Sequence, residues 1–493
     1  MTTALAGPAA GVLIGGSWRT HGPEAPVLDK FTREPFAGVR QAQPGDANDA
    51  VTAAVRAAGR PLPPMRRFEV LSAASRLLQE RAADLRAAYV AETGFTTADA
   101  DGEITRAAAT LRLSAEEAVR LAGEEVPVAA APGSEQRLAF TIRVPVGVVG
   151  AISPFNAPLN TVAHKIGPAL AAGNSVVLKP AEQTPLSAIA LIEILHEAGL
   201  PPGYLNLVCG PGDTVGAELV ADRRVRFFTF TGSTAVGQLI KQRSGIAKTH
   251  LELGSNSASI VAADADLDLV AGLVTRAGYR KAGQVCTSVQ RLIADARVID
   301  DLADRLRARV AALRTGDPRD TKVEVGPMIA PAEAARAQSW VREAESAGAT
   351  VLAGGDRDGP LLQPTVLRDP AGGTQIMTGE IFAPVVALVP AESVDAAIDL
   401  VNAGSYGLQA GVFTQDIDVA FDAARRLRVG GVMINDTSSY HADAMPYGGV
   451  KDSGFGLEGP KYAVNDMTDP RIIVLNLRPA QPAQPAQKGT ARP

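Results

Sequence analysis

Cysteine occurs twice in this chain, and Cys286 stands in the run Gly-Gln-Val-Cys-Thr-Ser-Val-Gln-Arg. Upstream, Glu252 sits in Leu-Glu-Leu-Gly, just past a strand-like stretch. A thiol can attack a carbonyl carbon, and a carboxylate can activate the water that releases the resulting thioester. Asn156, between Pro-Phe and Ala-Pro, also follows a strand-like run. Each residue has a plainer reading as well. Most free cysteines are small buried hydrophobes, a glutamate at a strand end is commonplace, and an asparagine after Pro-Phe suits a turn.

These residues need a scaffold, and the sequence supplies its pattern. Asp46–Ala58, Met65–Ala91 and Glu103–Leu121 read as helices, the second amphipathic. Pro127 and Pro132-Gly133 break the pattern, and Arg137–Val144 alternates like an exposed strand. From Val146 onward strands and helices alternate. The strands are Val146–Ile152, Ser175–Lys179, Tyr204–Val208 and Arg226–Phe230. The helices are Leu159–Ala171, Pro185–Ala198, Asp213–Val220 and Thr234–Arg243. Continuous apolar strands separated by helices predict a parallel sheet covered on both faces, with ligands at the carboxyl ends of its strands. Asn156, Lys179, Ser233 and Glu252 all follow or end such strands. A second alternating region runs from Leu267 to about Val450, with helices at Arg297–Leu313 and Pro331–Ala347. The tail 479–493 repeats Pro-Ala-Gln and is expected to be disordered.

At 493 residues the chain exceeds a single hydrophobic core, so two or three domains are expected. A net charge of −5 gives no global attraction for nucleic acid or acidic membranes. No 18-residue apolar run is present, and the first residues lack a basic segment ahead of their apolar stretch, so neither a membrane span nor a signal peptide is expected. Two cysteines are no disulfide framework, which fits a reducing, cytoplasmic setting. Five histidines show no paired ligand spacing, which disfavours a metal site.

Eight motifs occur in one order. They are Pro154-Phe155-Asn156-Ala157-Pro158, Gly167-Pro168-Ala169-Leu170 with Gly173-Asn174, and Lys179-Pro180-Ala181-Glu182-Gln183-Thr184-Pro185. Then come Phe230-Thr231-Gly232-Ser233, Leu251-Glu252-Leu253-Gly254, Gly283-Gln284-Val285-Cys286, Glu380-Ile381-Phe382 and Pro446-Tyr447-Gly448-Gly449. In this the chain resembles the aldehyde dehydrogenase superfamily over roughly residues 10–478, in a branch similar to lactaldehyde and phosphonoaldehyde dehydrogenases. The resemblance implies an α/β fold: a Rossmann-like parallel-sheet cofactor domain (1–122 and 146–253), an α/β catalytic domain (254–452), and a small β oligomerisation arm with the C-terminal segment (123–145 and 453–478).

It further implies that Cys286 is the nucleophile, Glu252 the base that hydrolyses the thioester, Asn156 an oxyanion donor, and Glu458 a second glutamate assisting proton removal. Cys209 matches no catalytic position. Gly232 and Ser233 would meet the pyrophosphate of a dinucleotide, Lys179 and Glu182 the adenosine ribose, and Glu380 and Phe382 the nicotinamide ribose and ring. A carboxylate at Glu182 repels a 2′-phosphate and so favours NAD, with NADP possible. The Gly-x-Gly-x-x-Gly fingerprint is absent. Two departures are Ser255-Asn256 in place of Gly-Lys, and Ala383 in place of glycine.

Substrate positions by the same resemblance are Arg106, on the third helix, with His164 and His441. A solvent-facing arginine and structural histidines are the plainer readings. As three cation-capable residues lining a tunnel they favour a small polar, anionic aldehyde, because arginine matches forked oxyanions. Val285 argues against a phosphonate, since some phosphonate-handling relatives carry arginine there. The expected product is a free carboxylate. Acyl transfer to coenzyme A, or a catalytically silent structural or binding protein, are the alternatives. The arm segments Arg137–Val144 and Asp469–Leu477 imply a homodimer or homotetramer.

Overall fold

The computed structural model describes residues 10–477, and the Pro-Ala-Gln tail lies outside them. Among these residues an eight-stranded sheet has a hydrophobic core on each face, a seven-stranded sheet carries a separate core, and a three-stranded sheet forms an arm.

The first sheet has five parallel central strands in spatial order Leu205–Val208, Ser175–Lys179, Val148–Ile152, Val225–Thr231 and Lys248–Glu252. Every residue of Ser175–Lys179 is buried, as is nearly all of the helix Asn160–Ala171 beside it. This is why these segments read as apolar runs without alternation. Chain order runs outward in one direction from Val148–Ile152, then returns to place Val225–Thr231 on its other side. The crevice beyond these two strand ends is therefore a topological switch point, where open α/β sheets bind ligands. In the second sheet six strands are parallel, from Thr365–Arg368 through Gly431–Ile434, and Thr350–Ala353 closes one edge antiparallel.

Several elements differ from the sequence expectation. The run Met65–Ala91 is two helices, Pro64–Glu80 and Ala82–Thr93, broken at Arg81 (φ −93°, ψ 11°), whose guanidinium pairs with Glu197 at the corner. The third helix begins at Thr97, not Glu103, because Thr96 and Asp99 form a reciprocal capping box. Asp213–Val220 opens as a π-turn over Gly212–Gly216 before the short helix Ala217–Ala221. Four N-terminal strands went unread: Val12–Ile14 and Ser17–Trp18 are too short for periodicity, and Glu24–Leu28, paired with Pro35–Arg40, contains Pro26.

In the arm, Arg137–Pro145 pairs antiparallel with Thr468–Asn476 along its whole length. Gly454–Phe455 joins the first sheet instead, antiparallel to Leu251 and Glu252, which brings the C-terminal segment against the glutamate.

Candidate active site

A cavity of about 830 Å³ runs from the switch point of the first sheet into the second domain. Its lining includes Lys179, Glu182 and Ser233, Cys286 and Asn156, and Arg106, Arg280 and His441.

Cys286 follows a tight turn in which Lys281 (φ 52°), Ala282 (φ 51°) and Gly283 (φ 67°) are all left-handed. Two non-glycine residues in that region cost about 1–3 kcal/mol each, so surrounding contacts must impose it. Lys281 Nζ donates to Glu103 Oε2 and to the Asn156 carbonyl, both at 2.9 Å. At Gly283 a Cβ would lie 2.0 Å from the Ala383 carbonyl oxygen, so only glycine fits. Asn156 Nδ2 donates to the Gln284 carbonyl at 2.9 Å, which ties the loop after the first sheet to the cysteine turn.

Tyr447 Oη lies 2.9 Å from Cys286 Sγ. Burial pushes the Cys286 thiol up to about 12, the nearby Glu380, Glu252 and Glu458 adding to the effect and the Tyr447 hydrogen bond opposing it. Attack by Cys286 would thus start from a thiol and require a proton acceptor. Cys209, also pushed up to about 12 by burial, packs in the first core.

Glu252 is 3% exposed, and its Oε1 is 3.1 Å from His250 Nε2. Burial and the charge of Glu458 raise its carboxyl well above the usual range. Glu458 is buried too. Against the cost of burial, Lys165 and the neighbouring histidines hold it down to about 2. Lys165 Nζ donates to Glu458 Oε1 at 3.1 Å and to Thr231 Oγ1 at 2.7 Å. Two buried carboxyls with opposed proton affinities suit general-base chemistry.

The helix Thr234–Arg243 opens on the cavity with Ser233 as its N-cap. The unpaired amides of a helix start, with their positive dipole end, accommodate a pyrophosphate. The Gly232 amide is already engaged, donating to the Glu252 carbonyl at 3.0 Å. Lys179 is buried and its ammonium lies 3.9 Å from Glu182, whose Oε1 accepts from the Gly212 amide at 2.9 Å. Glu380 Oε1 accepts from the Ser255 amide at 3.0 Å, and burial lifts its carboxyl to about 8. Phe382 stands edge-on to Phe155, centroids 5.8 Å apart. A phosphate cradle, ribose acceptors and an aromatic wall in one cavity fit a nicotinamide dinucleotide.

Arg106, His164 and His441 are brought together, but around a partner the sequence reading did not single out. Asp443 accepts from Arg106 Nε at 3.2 Å and from Nη2 at 2.8 Å, contacts His164 Nε2 at 3.0 Å, and accepts from Asn160 Nδ2 at 3.1 Å. Arg106 Nη2 also meets His441 Nδ1. His441 is driven down to about 3 by burial and by the neighbouring Arg106, so its ring is neutral. The Arg106 charge is therefore compensated inside the protein. Arg280 is different. It lines the same cavity, its one side-chain hydrogen bond is to Ser439 Oγ at 3.5 Å, and no carboxylate pairs with it among the described residues.

Asp443, Arg280, His250, Lys165 and the Tyr447 hydroxyl were thus missed. Two carried a local signal: Arg280 lies six residues before Cys286, in the turn that presents the thiol, and His250 lies two residues before Glu252 on one strand. Asp443 meets the site from far along the chain, 337 residues from Arg106.

Comparison with known proteins matches residues 18–473 to the aldehyde dehydrogenase family. A 3-sulfolactaldehyde dehydrogenase of Priestia aryabhattai is 47% identical over 467 residues, 95% of this chain and 98% of that protein. A lactaldehyde dehydrogenase of Methanocaldococcus jannaschii is 35% identical over 94% of this chain and all of its own length. Among solved structures, aldehyde dehydrogenase 21 of Physcomitrella patens, crystallised with the reaction product succinate, superposes with a TM-score of 0.92 at 36% identity, covering 95% of this chain and 99% of that one. The NADP complex of a glyceraldehyde-3-phosphate dehydrogenase from Bacillus halodurans gives 0.93 at 36% identity, over 96% of this chain and all of that one. By these matches the chain belongs to the aldehyde dehydrogenase family and is an NAD(P)-dependent aldehyde dehydrogenase.

Proposed function

We propose that this enzyme oxidises a small aldehyde bearing an anionic head group, a sulfonate or a carboxylate, to the free acid. The observation that carries the anionic reading is Arg280, an unpaired guanidinium in the cavity that holds Cys286. Its planar fork matches such groups. The names of the Priestia and Physcomitrella proteins, one acting on a sulfonated aldehyde and one holding succinate, support it.

Cys286 attacks the aldehyde carbon, its thiol proton passing to water in the cavity and on to solvent, and the Asn156 amide, with the cysteine's own backbone N–H, receives the developing oxyanion. A nicotinamide dinucleotide would be oriented by Glu380 and Phe382 and held at its adenosine ribose by Lys179 and Glu182, and it would supply the hydride acceptor that the oxidation requires. Glu252 then takes a proton from water, the oxygen adds to the thioester carbonyl, and the C–S bond breaks to release Cys286. Glu458, fixed as an anion by Lys165, keeps Glu252 basic enough for the task. The arm, with Leu138, Ile142, Ile472 and Val474 exposed, is the natural seat of a homodimer or homotetramer.

The test is NADH formation over matched neutral and anionic aldehydes of equal carbon number. The anionic members should show higher kcat/KM, and Arg280→Gln should erase that advantage while leaving propanal unaffected. Equal kcat/KM for both sets in the wild-type enzyme would refute the anionic reading.

A further inference from the structure

His250 lies two residues before Glu252 on the strand Lys248–Glu252, so both side chains project from the same face. The imidazole is 1% exposed, and its Nε2 is 3.1 Å from Glu252 Oε1. Nothing else holds Glu252: its Oε2 is buried and has no hydrogen-bond partner among the described residues, and neither has His250 Nδ1. The ring is wedged in place. Gly456, at φ +92°, passes so close that a Cβ there would sit 2.6 Å from the imidazole Cδ2.

From these contacts we infer that His250 is a positioning residue for the hydrolytic step. It donates Nε2–H to Glu252 Oε1, and so leaves Oε2 as the oxygen that receives the proton of the attacking water. The inference rests on Glu252 being the base.

The donor direction follows from chemistry. A proton on Nδ1 would leave the bare Nε2 lone pair facing a carboxylate oxygen, which is repulsive. With the proton on Nε2 the ring stabilises the ionised, base-competent carboxylate. Burial holds the imidazole at about 4, so it stays neutral through the working range and keeps that single N–H. The charged groups around the pair are Glu458 from the C-terminal segment and Lys165 from the helix Asn160–Ala171, with His164 on that same helix. Cys286 and Tyr447 also lie within electrostatic reach of Glu252. Glu458 opposes ionisation of Glu252, and Lys165 and the His250 hydrogen bond favour it. Removing the hydrogen bond therefore shifts the balance toward the protonated, inactive carboxyl.

The experiment is stopped-flow NADH formation with His250→Leu, His250→Thr, His250→Gln and Glu252→Gln, each with a thermal unfolding curve. In the Leu and Thr variants we expect the first turnover at wild-type rate, then steady-state hydrolysis slowed about tenfold, so that a burst appears. The ascending limb of the kcat–pH profile should move up by about one unit. His250→Gln, whose amide still donates, should recover most of the rate. Should either apolar or short variant fold and show no burst and an unshifted profile, the positioning role is overturned, whatever the melting temperature does. If Glu252→Gln itself hydrolyses normally, the assignment of the base has failed and this role fails with it. Loss of the first turnover across all His250 variants would mark a general collapse of the site and also overturn the proposal.

Discussion

The phenol oxygen of Tyr447 lies 2.9 Å from Cys286 Sγ, and the His441 ring stands edge-on to the same tyrosine with centroids 4.7 Å apart. Cys286 is thereby joined to His441 through one side chain. Tyr447 is also the group whose hydrogen bond lowers the proton affinity of a thiol that burial and three nearby carboxyls raise.

Tyr447→Phe should therefore alkylate more slowly. Only the thiolate reacts with iodoacetamide. With the thiol pushed up to about 12, the wild-type rate should climb with pH between 7 and 10. A hydrogen bond to a charged acceptor contributes about 1.5 kcal/mol, so its loss should cut the rate about tenfold at each pH below the thiol pKa. An equal or faster rate in the variant would show that the hydroxyl does not stabilise the thiolate.

Asn156→Ala tests the oxyanion role. The amide now donates to the Gln284 carbonyl, so it is already aimed at the turn that carries Cys286. Loss of one such donor typically costs about 10²–10³ in kcat, with little change in KM. A kcat within twofold of wild type would assign Asn156 to loop anchoring alone.

The sheet with its switch point was legible because strands such as Ser175–Lys179 are buried on both faces and show it as unbroken apolar runs. Cys286, Glu252 and Asn156 were legible from motifs. What lay hidden was pairing. Arg106 read as a free cation because Asp443 is remote in sequence, and nothing local announces a bond across 337 residues. The sequence reading gave His250 no role, because its contact depends on Glu252 facing the same way on one strand and on Gly456 closing over the ring.

Glu182 bears on the choice of cofactor. Its side chain is half exposed and 3.9 Å from the Lys179 ammonium, so its charge is only partly offset. A phosphate on the adenosine ribose would meet that charge at a cost of about 1 kcal/mol or more, depending on the local dielectric. Glu182→Gln should therefore raise the ratio of kcat/KM for NADP to that for NAD about tenfold. Steady-state kinetics with both cofactors checks it, and an unchanged ratio would place the discrimination elsewhere in the cavity.

Asp443→Asn separates the two arginines. The carboxylate cancels the Arg106 charge, and the amide is nearly isosteric, so the substitution adds one net positive charge there while keeping the packing. KM for anionic aldehydes should fall relative to KM for neutral ones, with Arg280 still in place. Stability should move the other way. Against burial, hydrogen bonds from His164 and Arg106 depress the Asp443 carboxyl below its usual range. Between its folded and unfolded pKa values the unfolded chain binds more protons, so this contribution is fully present above about pH 4 and is lost as pH falls through the folded value. Urea midpoints of wild type and variant should accordingly differ at pH 7 and converge as the pH drops below 4. If KM for the anionic aldehydes stays level or rises, Arg106 does not reach the substrate even when its internal partner is neutral, and Arg280 alone sets the preference.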